Sequence, residues 1–346
     1  MKVLHLIFSF NIGGAEMLLI DIINHQINSI EVSLCIINND YDQELINQID
    51  KRVHLFLLDR REGSHNPFKI AKLNYWIKNE NPDIIHSHNG NAIGLLWNSR
   101  PKVLTAHQMG ISSNWICKYD QVYVISEAVQ KDITMRSPAK TVLIYNGINI
   151  DNIKKEKDGF VKKKIRLVQI GRLCHEIKGQ DILLRALHVL KKQHLLFDFS
   201  LDFIGEGPSS LFLKNLVSEL ELNDSVQFVG AKNRTYIYNQ LCNYDLLIQP
   251  SVTEGFGLTV AEAMAAKVLV LVSNNDGPME IIKNGEYGFY FQKEDINDCA
   301  KQILQIINTR KETKQIIENA YGHVCNLFSV SNTAKQYIQA YRSVTD

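Results

Sequence analysis

Two glutamates eight positions apart bracket the stretch of this chain best suited to chemistry. Residues 250–266 read PSVTEGFGLTVAEAMAA, with Glu254 just ahead of Gly255 and Gly257, and Glu262 inside the helical run that follows. Glycines let backbone approach a ligand closely. A helix starting near Leu258 or Thr259 points its unpaired N–H groups and the positive end of its dipole out of the loop. Such a terminus suits a pyrophosphate. Glu254 before the loop and Glu262 one turn into the helix can flank a single ligand, each accepting hydrogen bonds from the hydroxyls of a different sugar. The competing reading is a plain turn followed by a surface carboxylate.

Cations lie upstream. In GRLCHEIKGQDILLRAL, residues 171–187, Arg172 and Lys178 bracket a loop between a strand and a helix. Two positive charges at the carboxyl end of a strand can neutralise a diphosphate leaving group, although either alone would be read as a surface ion-pair partner. Near the N-terminus, SFNIGGAEM places Gly13 and Gly14 in a turn ahead of a helix, without the GxGxxG spacing of a dinucleotide site. His107 follows the strand VLTA. His86 and His88 in IIHSHNG raise a metal alternative, but no third ligand is evident from the sequence. Asp40-Tyr41-Asp42 spells the DxD string of metal-dependent sugar transferases within a polar run.

The elements that must carry these residues follow from the apolar pattern. Strand-length runs at 3–9, 32–37, 53–57, 84–86, 103–106, 121–125 and 141–144 alternate with helical segments such as 15–28 and 67–78. Near-continuous apolar strands separated by helices signify a parallel sheet covered on both faces. The polar, charged stretch 151–164 (DNIKKEKDGFVKKK) reads as a linker. Beyond it the alternation restarts, with strands at 165–170, 197–204, 226–229, 246–249 and 268–272 and helices at 180–192, 211–220 and 260–266. A second doubly wound sheet follows, and two such domains would face each other across a cleft at their strands' carboxyl ends.

The bulk numbers agree with two soluble domains. The 346 residues are 45% hydrophobic and 22% charged, with a net charge of +1. That balance speaks against a nucleic-acid partner. The six cysteines form no CxxC pair, and several sit in apolar runs, so buried reduced thiols and a cytoplasmic setting are expected. The opening MKVLHLIFSFNIGG reads as a first strand and not a signal peptide. No run reaches the roughly 18 apolar residues of a membrane span.

These residues resemble the retaining GT-B glycosyltransferases of family 4. The two glutamates in Glu254-GFGLTVA-Glu262 carry the likeness, supported in order along most of the chain by GGAE, Thr105 to His107, ISEAV, YNGIN, GRL…KG, IGEGP and NGEYGFYF. Lys267 and Val268 depart from the Gly and Pro such sequences often show there. The resemblance implies an α/β chain of two Rossmann-like domains: an acceptor-side domain at 1–158, a nucleotide-sugar domain at 159–326, and a C-terminal helix at 327–346 crossing back to the first. It implies that Arg172 and Lys178 bind the donor's phosphates and that Glu254 holds hydroxyls of the transferred sugar. The backbone of Gly255, Phe256, Gly257, Leu258 and Thr259 would contact the sugar and phosphates, and Glu262 the ribose. His107 would face the reacting sugar, with Gly13 and Gly14 near the phosphates and acceptor.

The expected activity is transfer of a sugar, with retention, from a nucleotide diphosphate (UDP favoured, GDP the alternative) to a saccharide or lipid-linked saccharide. Retention runs through a covalent intermediate or through front-face attack, and the second is favoured because Glu254 is better explained as a sugar-binding group. No metal or other cofactor is expected, since Arg172, Lys178 and the helix N-terminus supply the positive field. The abundance of Asn, Ile and Lys suggests an AT-rich bacterial gene, in keeping with lipopolysaccharide or capsule assembly. The basic amphipathic segment 67–78, with Phe68, Trp76 and Ile77 beside Lys69, Lys72 and Lys78, offers peripheral contact with the inner membrane face. Rival readings are a sugar-nucleotide epimerase of the same architecture, a non-catalytic nucleotide-sugar binder, and a metal-dependent transferase using Asp40 and Asp42.

Overall fold

Alternating apolar strands and amphipathic helices build two separate α/β units. A computed structural model describes residues 1–11, 13–155, 164–193, 198–309 and 313–345. One unit comprises Met1–Gly147 with Phe328–Asp346, the other Ile148–Leu327. The 158/159 domain division, most of the linker at 151–164 and the start of the strand expected from Phe197 lie outside the described residues.

The first unit holds a sheet of β1 (Lys2–Ile7), β2 (Glu31–Asn38), β3 (His54–Arg60), β4 (Ile84–Ser87), β5 (Lys102–Ala106), β6 (Gln121–Val124) and β7 (Thr141–Leu143). All neighbours pair in parallel, in the order β3-β2-β1-β4-β5-β6-β7. The order reverses direction between β1 and β4. At such a switch point the connections leave to opposite sides and open a crevice at the carboxyl ends. Parallel pairing needs both faces covered. One face is covered by the helix Gly14–Gln26 and the C-terminal helix Val330–Thr345, whose Val330, Tyr337 and Tyr341 join Val3, Ile84, Val103 and Tyr123 in one core. The other is covered by the helix Pro67–Glu80, whose Leu73 and Ile77 pack with Leu4, Leu6 and Ile85. Thr333 anchors the C-terminal helix by donating to the Tyr145 carbonyl at 2.9 Å.

The second unit repeats the plan with β8 (Ile165–Ile170), β9 (Phe199–Ile204), β10 (Val226–Gly230), β11 (Leu246–Gln249), β12 (Leu269–Ser273) and β13 (Phe289–Phe291), ordered β10-β9-β8-β11-β12-β13 and parallel. Its switch point lies between β8 and β11. The core gathers Leu167, Leu201, Phe203, Leu246, Ile248 and Leu271 from the sheet, with Leu183, Leu187 and Leu190 from the helix Gln180–Lys192. No helix among the described residues is long and apolar enough to cross a membrane. Cys35, Cys242 and Cys299 are buried free thiols, whereas Cys117 is exposed, a departure from the expected buried set.

Candidate functional site

In the second unit the loops that follow β8 and β11 meet at the switch point. The Ile177 carbonyl accepts from Val252 N at 2.8 Å and from Thr253 N at 3.2 Å, which ties one loop to the other. Gly179 makes this approach feasible: its φ is +63°, and a Cβ there would overlap the Pro250 carbonyl oxygen. The same constraint recurs at Gly205, at φ +144°, where a Cβ would strike the Gly171 carbonyl.

These loops set Lys178 against Glu254, with Nζ 2.5 Å from Oε2 and both side chains partly buried. Gln249 Nε2 donates to the same Oε2 at 3.1 Å and to Ser251 Oγ at 2.8 Å, and Ser251 Oγ donates to Oε2 at 3.5 Å. Among the described residues the hydrogen bonds to this carboxylate all fall on Oε2, so Oε1 is the oxygen available to a ligand. The helix Leu258–Ala265 starts directly behind, capped by Gly257 in the left-handed region at φ +106° with no side-chain cap. Its first amides therefore carry unspent donors toward the loop. Glu262 lies half-buried on this helix. Arg172 is exposed at the β8 end, and among the described residues its guanidinium makes no hydrogen bond or ion pair.

The structure thus gathers Lys178 and Glu254 in direct contact, beside the backbone of Gly255 to Thr259. Gln249 and Ser251 belong to the same cluster and were not singled out in the sequence. Gln249 closes the apolar strand LLIQ, and the one signal in the sequence was a polar residue ending an apolar run at a strand's carboxyl end; the fold buries it.

In the first unit the register of β1 on β4 sets His5 opposite His86. That supplies the third histidine missing from the sequence argument: ligand atoms of His5, His86 and His88 lie within 4.8 Å of one another. Hydrogen bonds already use them. His5 Nδ1 is 3.1 Å from His88 Nε2, His88 Nδ1 is 3.1 Å from His107 Nε2, and His5 Nε2 is 3.0 Å from Gln26 Oε1. His86 bonds Tyr341 and Thr105 at 2.6 and 2.7 Å. Burial lowers the pKa of His5 to about 4, against a smaller opposite pull from Gln26, and that of His107 also to about 4. His86 and His88 fall well below the ordinary range, first through burial and then through the neighbouring imidazoles.

Gly13 and Gly14 open the helix Gly14–Gln26, with Gly13 extended at φ −157°. The Glu16 carboxylate folds back over that terminus, where a Cβ on Gly13 would overlap it. Burial raises the pKa of Glu16, partly offset by its own backbone N–H. The DxD string does not present two free carboxylates: Asp42 caps the helix Gln43–Ile46, accepting from Glu44 N at 2.7 Å, and Tyr41 bridges to Phe10. In the segment 67–78, Phe68 is 83% exposed, but Ile77 is buried and Trp76 stacks on Phe56 at 4.5 Å, so only Phe68 of the three named apolar residues faces outward.

Two parallel-sheet units of this kind are the fold of the GT-B glycosyltransferases. HepE from Anabaena, solved in complex with UDP and glucose, superposes with a TM-score of 0.83 at 22% identity over 99% of this chain and 100% of that one. Residues 151–323 match the family model described as glycosyl transferases group 1, and residues 12–152 that described as Glycosyltransferase Family 4. The chain belongs to the glycosyl transferases group 1 family and is a glycosyltransferase. The capsular polysaccharide biosynthesis glycosyltransferase CapH of Staphylococcus aureus is 26% identical, with 99% of each chain covered. An uncharacterized glycosyltransferase of Methanocaldococcus jannaschii is also 26% identical, with 73% of each covered.

Proposed function

We propose that this chain transfers a sugar from a UDP-linked donor, with retention at the anomeric carbon, to a saccharide or lipid-linked saccharide during assembly of a bacterial surface polysaccharide such as capsule. The observation that carries this reading is the Lys178–Glu254 pair beside the Gly257-capped helix N-terminus. One ion-pair contact leaves Lys178 two N–H groups for phosphate oxygens. Glu254, with Oε2 held by three donors, offers Oε1 to a hydroxyl of the transferred sugar. Arg172 adds a second cation for the diphosphate, Glu262 takes the ribose, and His107 contacts the reacting sugar. HepE binds UDP and glucose, and CapH acts in capsule biosynthesis; both support the donor and the setting.

In the front-face route the acceptor oxygen bonds to the anomeric carbon as the carbon–phosphate oxygen bond breaks. The acceptor's proton passes to the departing phosphate oxygen. Charge grows on the diphosphate, where Arg172, Lys178 and the helix amides stand, so a divalent ion is not needed for its neutralisation. Peripheral contact with a membrane through Phe68 and the adjoining lysines fits a lipid-linked acceptor, at the cytoplasmic face.

The test is thermal shift with UDP-, GDP- and ADP-linked sugars, each against its bare nucleotide and repeated in Glu262→Ala. We expect stabilisation by UDP-sugars that is lost in the variant, and activity unchanged by a chelator. A shift with GDP-sugars alone would overturn the donor assignment. Conversion of the donor with no acceptor present would replace transfer by epimerisation.

A further inference from the structure

The histidines of the first unit can be read for the position of every ring proton. The starting point is Gln26, whose Oε1 only accepts. The proton in the 3.0 Å contact between Gln26 Oε1 and His5 Nε2 therefore belongs to His5. Burial keeps His5 neutral, and a neutral imidazole carries a single ring proton. His5 Nδ1 is then a bare lone pair, and the 3.1 Å contact with His88 Nε2 requires His88 to donate. His88, also neutral and buried, is left with a bare Nδ1. The 3.1 Å contact with His107 Nε2 requires His107 to donate in turn.

The other side of Gln26 agrees with this direction. Its Nε2 donates to the Tyr341 hydroxyl at 3.4 Å, and that hydroxyl's own proton goes to His86 Nδ1 at 2.6 Å. His86 Nε2–H then donates to Thr105 Oγ1 at 2.7 Å. Every contact has one donor and one acceptor, and the amide of Gln26 orients both branches.

We infer that Gln26, His5 and His88 form a tautomer lock that fixes His107 as the Nε2–H form and leaves its Nδ1 as a lone pair for a hydroxyl of the sugar being transferred. Among the described residues Nδ1 of His107 has no hydrogen-bond partner. A bare ring nitrogen accepts the proton of a sugar hydroxyl, whereas an N–H at the same place would donate to that hydroxyl's oxygen, so the tautomer sets the direction of the bond. Gln26, His5 and His88 are positioning residues that act through His107. The string ends on an amide that cannot take up a proton, so it orients His107 and does not carry protons away from it. A metal held by His5, His86 and His88 is the competing occupant. Both nitrogens of all three rings already have hydrogen-bond partners, and binding would strand Gln26 and Tyr341 in the core.

The hydroxyl partner rests on the function proposed above; the tautomer itself does not. Long-range proton–nitrogen correlation spectra of the uniformly ¹⁵N-labelled chain at neutral pH read Nδ1 and Nε2 of each ring directly. We expect His5, His88 and His107 as Nε2–H, His107 shifting toward a mixture in Gln26→Leu, and restoration in Gln26→Glu, which keeps an accepting oxygen. The Leu variant should lose about tenfold in kcat/KM, the worth of one hydrogen bond. A wild-type His107 found as Nδ1–H or as imidazolium overturns the inference, as does a His107 spectrum untouched in Gln26→Leu. Stoichiometric Zn²⁺ that moves the His5, His86 and His88 signals together would replace the lock by a metal site. If Gln26→Leu does not fold, the wild-type spectrum decides alone. Full turnover in His107→Ala would sink the sugar contact while leaving the tautomer assignment to the spectra.

Discussion

Glu254 and Lys178 are separated by 76 positions in the chain, yet they share one contact because β8 and β11 are neighbours. Removing Lys178 takes away a cation for the leaving group and releases Glu254 Oε2, so Lys178→Ala should lower kcat by about 10² or more. The fold should persist, since a partly exposed ion pair contributes about 1 kcal/mol or less. Because both residues serve one ligand, Lys178→Ala combined with Glu254→Gln should be little worse than either single change. Steady-state kinetics with a circular dichroism control reads this, and two multiplicative losses would mean the residues act independently. The types and order of these residues were legible in the sequence; their pairing was not, because it depends on which strands become neighbours. Gln249 was illegible for a related reason: at the end of LLIQ it looks like a strand terminus, and only the fold turns its amide onto Glu254. His5 was hidden likewise inside an apolar strand, until the register set it against His86.

At the scale of elements, the second site depends on two loops held at backbone contact. Gly179 allows this twice over, through its left-handed φ of +63° and through its missing Cβ against Pro250. Gly63, at φ +70° with nothing within 4 Å of a Cβ, separates the two effects. Gly63→Ala should cost about 1 kcal/mol for backbone strain alone. Gly179→Ala should cost about 3 kcal/mol, because a backbone carbonyl must move as well. Urea melts of both variants measure the difference, and equal costs would show that the loops can part freely. Strands were the most legible elements: apolar runs at 165–170 and 246–249 coincide with β8 and β11 as observed. The helix Gly14–Gln26 also emerged within two residues at each end of its pattern. The helix Ile296–Asn308 went unassigned although its apolar stripe, Cys299, Ala300, Ile303 and Ile306, is buried on the second sheet. The placement of Tyr337 and Tyr341 in the first unit's core was beyond any local pattern, since their partners are residues near the other end of the chain.

For the whole molecule, the two units should answer acid differently, because the first encloses a set of neutral histidines. An unfolded histidine titrates near 6.5. In the fold His5 and His107 hold their neutral forms down to about 4, and His86 and His88 are lowered well below the ordinary range, chiefly through burial. Above pH 6.5 both states are neutral at these rings, and stability does not depend on them. Between 6.5 and 4 the unfolded chain binds more protons than the fold, so stability falls as pH falls. His5 and His107, each held neutral down to about 4, remove roughly 2 kcal/mol apiece by pH 5, and His86 and His88 add to the loss in the same direction. The chain reports this selectively: Trp76, Trp97 and Trp115, its three tryptophans, all lie in the first unit. Tryptophan fluorescence should therefore show an acid transition between pH 6 and 4.5, while far-ultraviolet circular dichroism retains the second unit's helical signal to lower pH. Urea melts followed by fluorescence should lose stability with a slope of about two to four protons per molecule around pH 5.5, two from His5 and His107 and the rest from His86 and His88. A flat dependence from pH 7 to 5 would mean that the rings charge within the fold. The hydrogen bonds from His5 to His107 would then need a different distribution of protons, and the tautomer assigned to His107 would lose its footing along with the acid sensitivity.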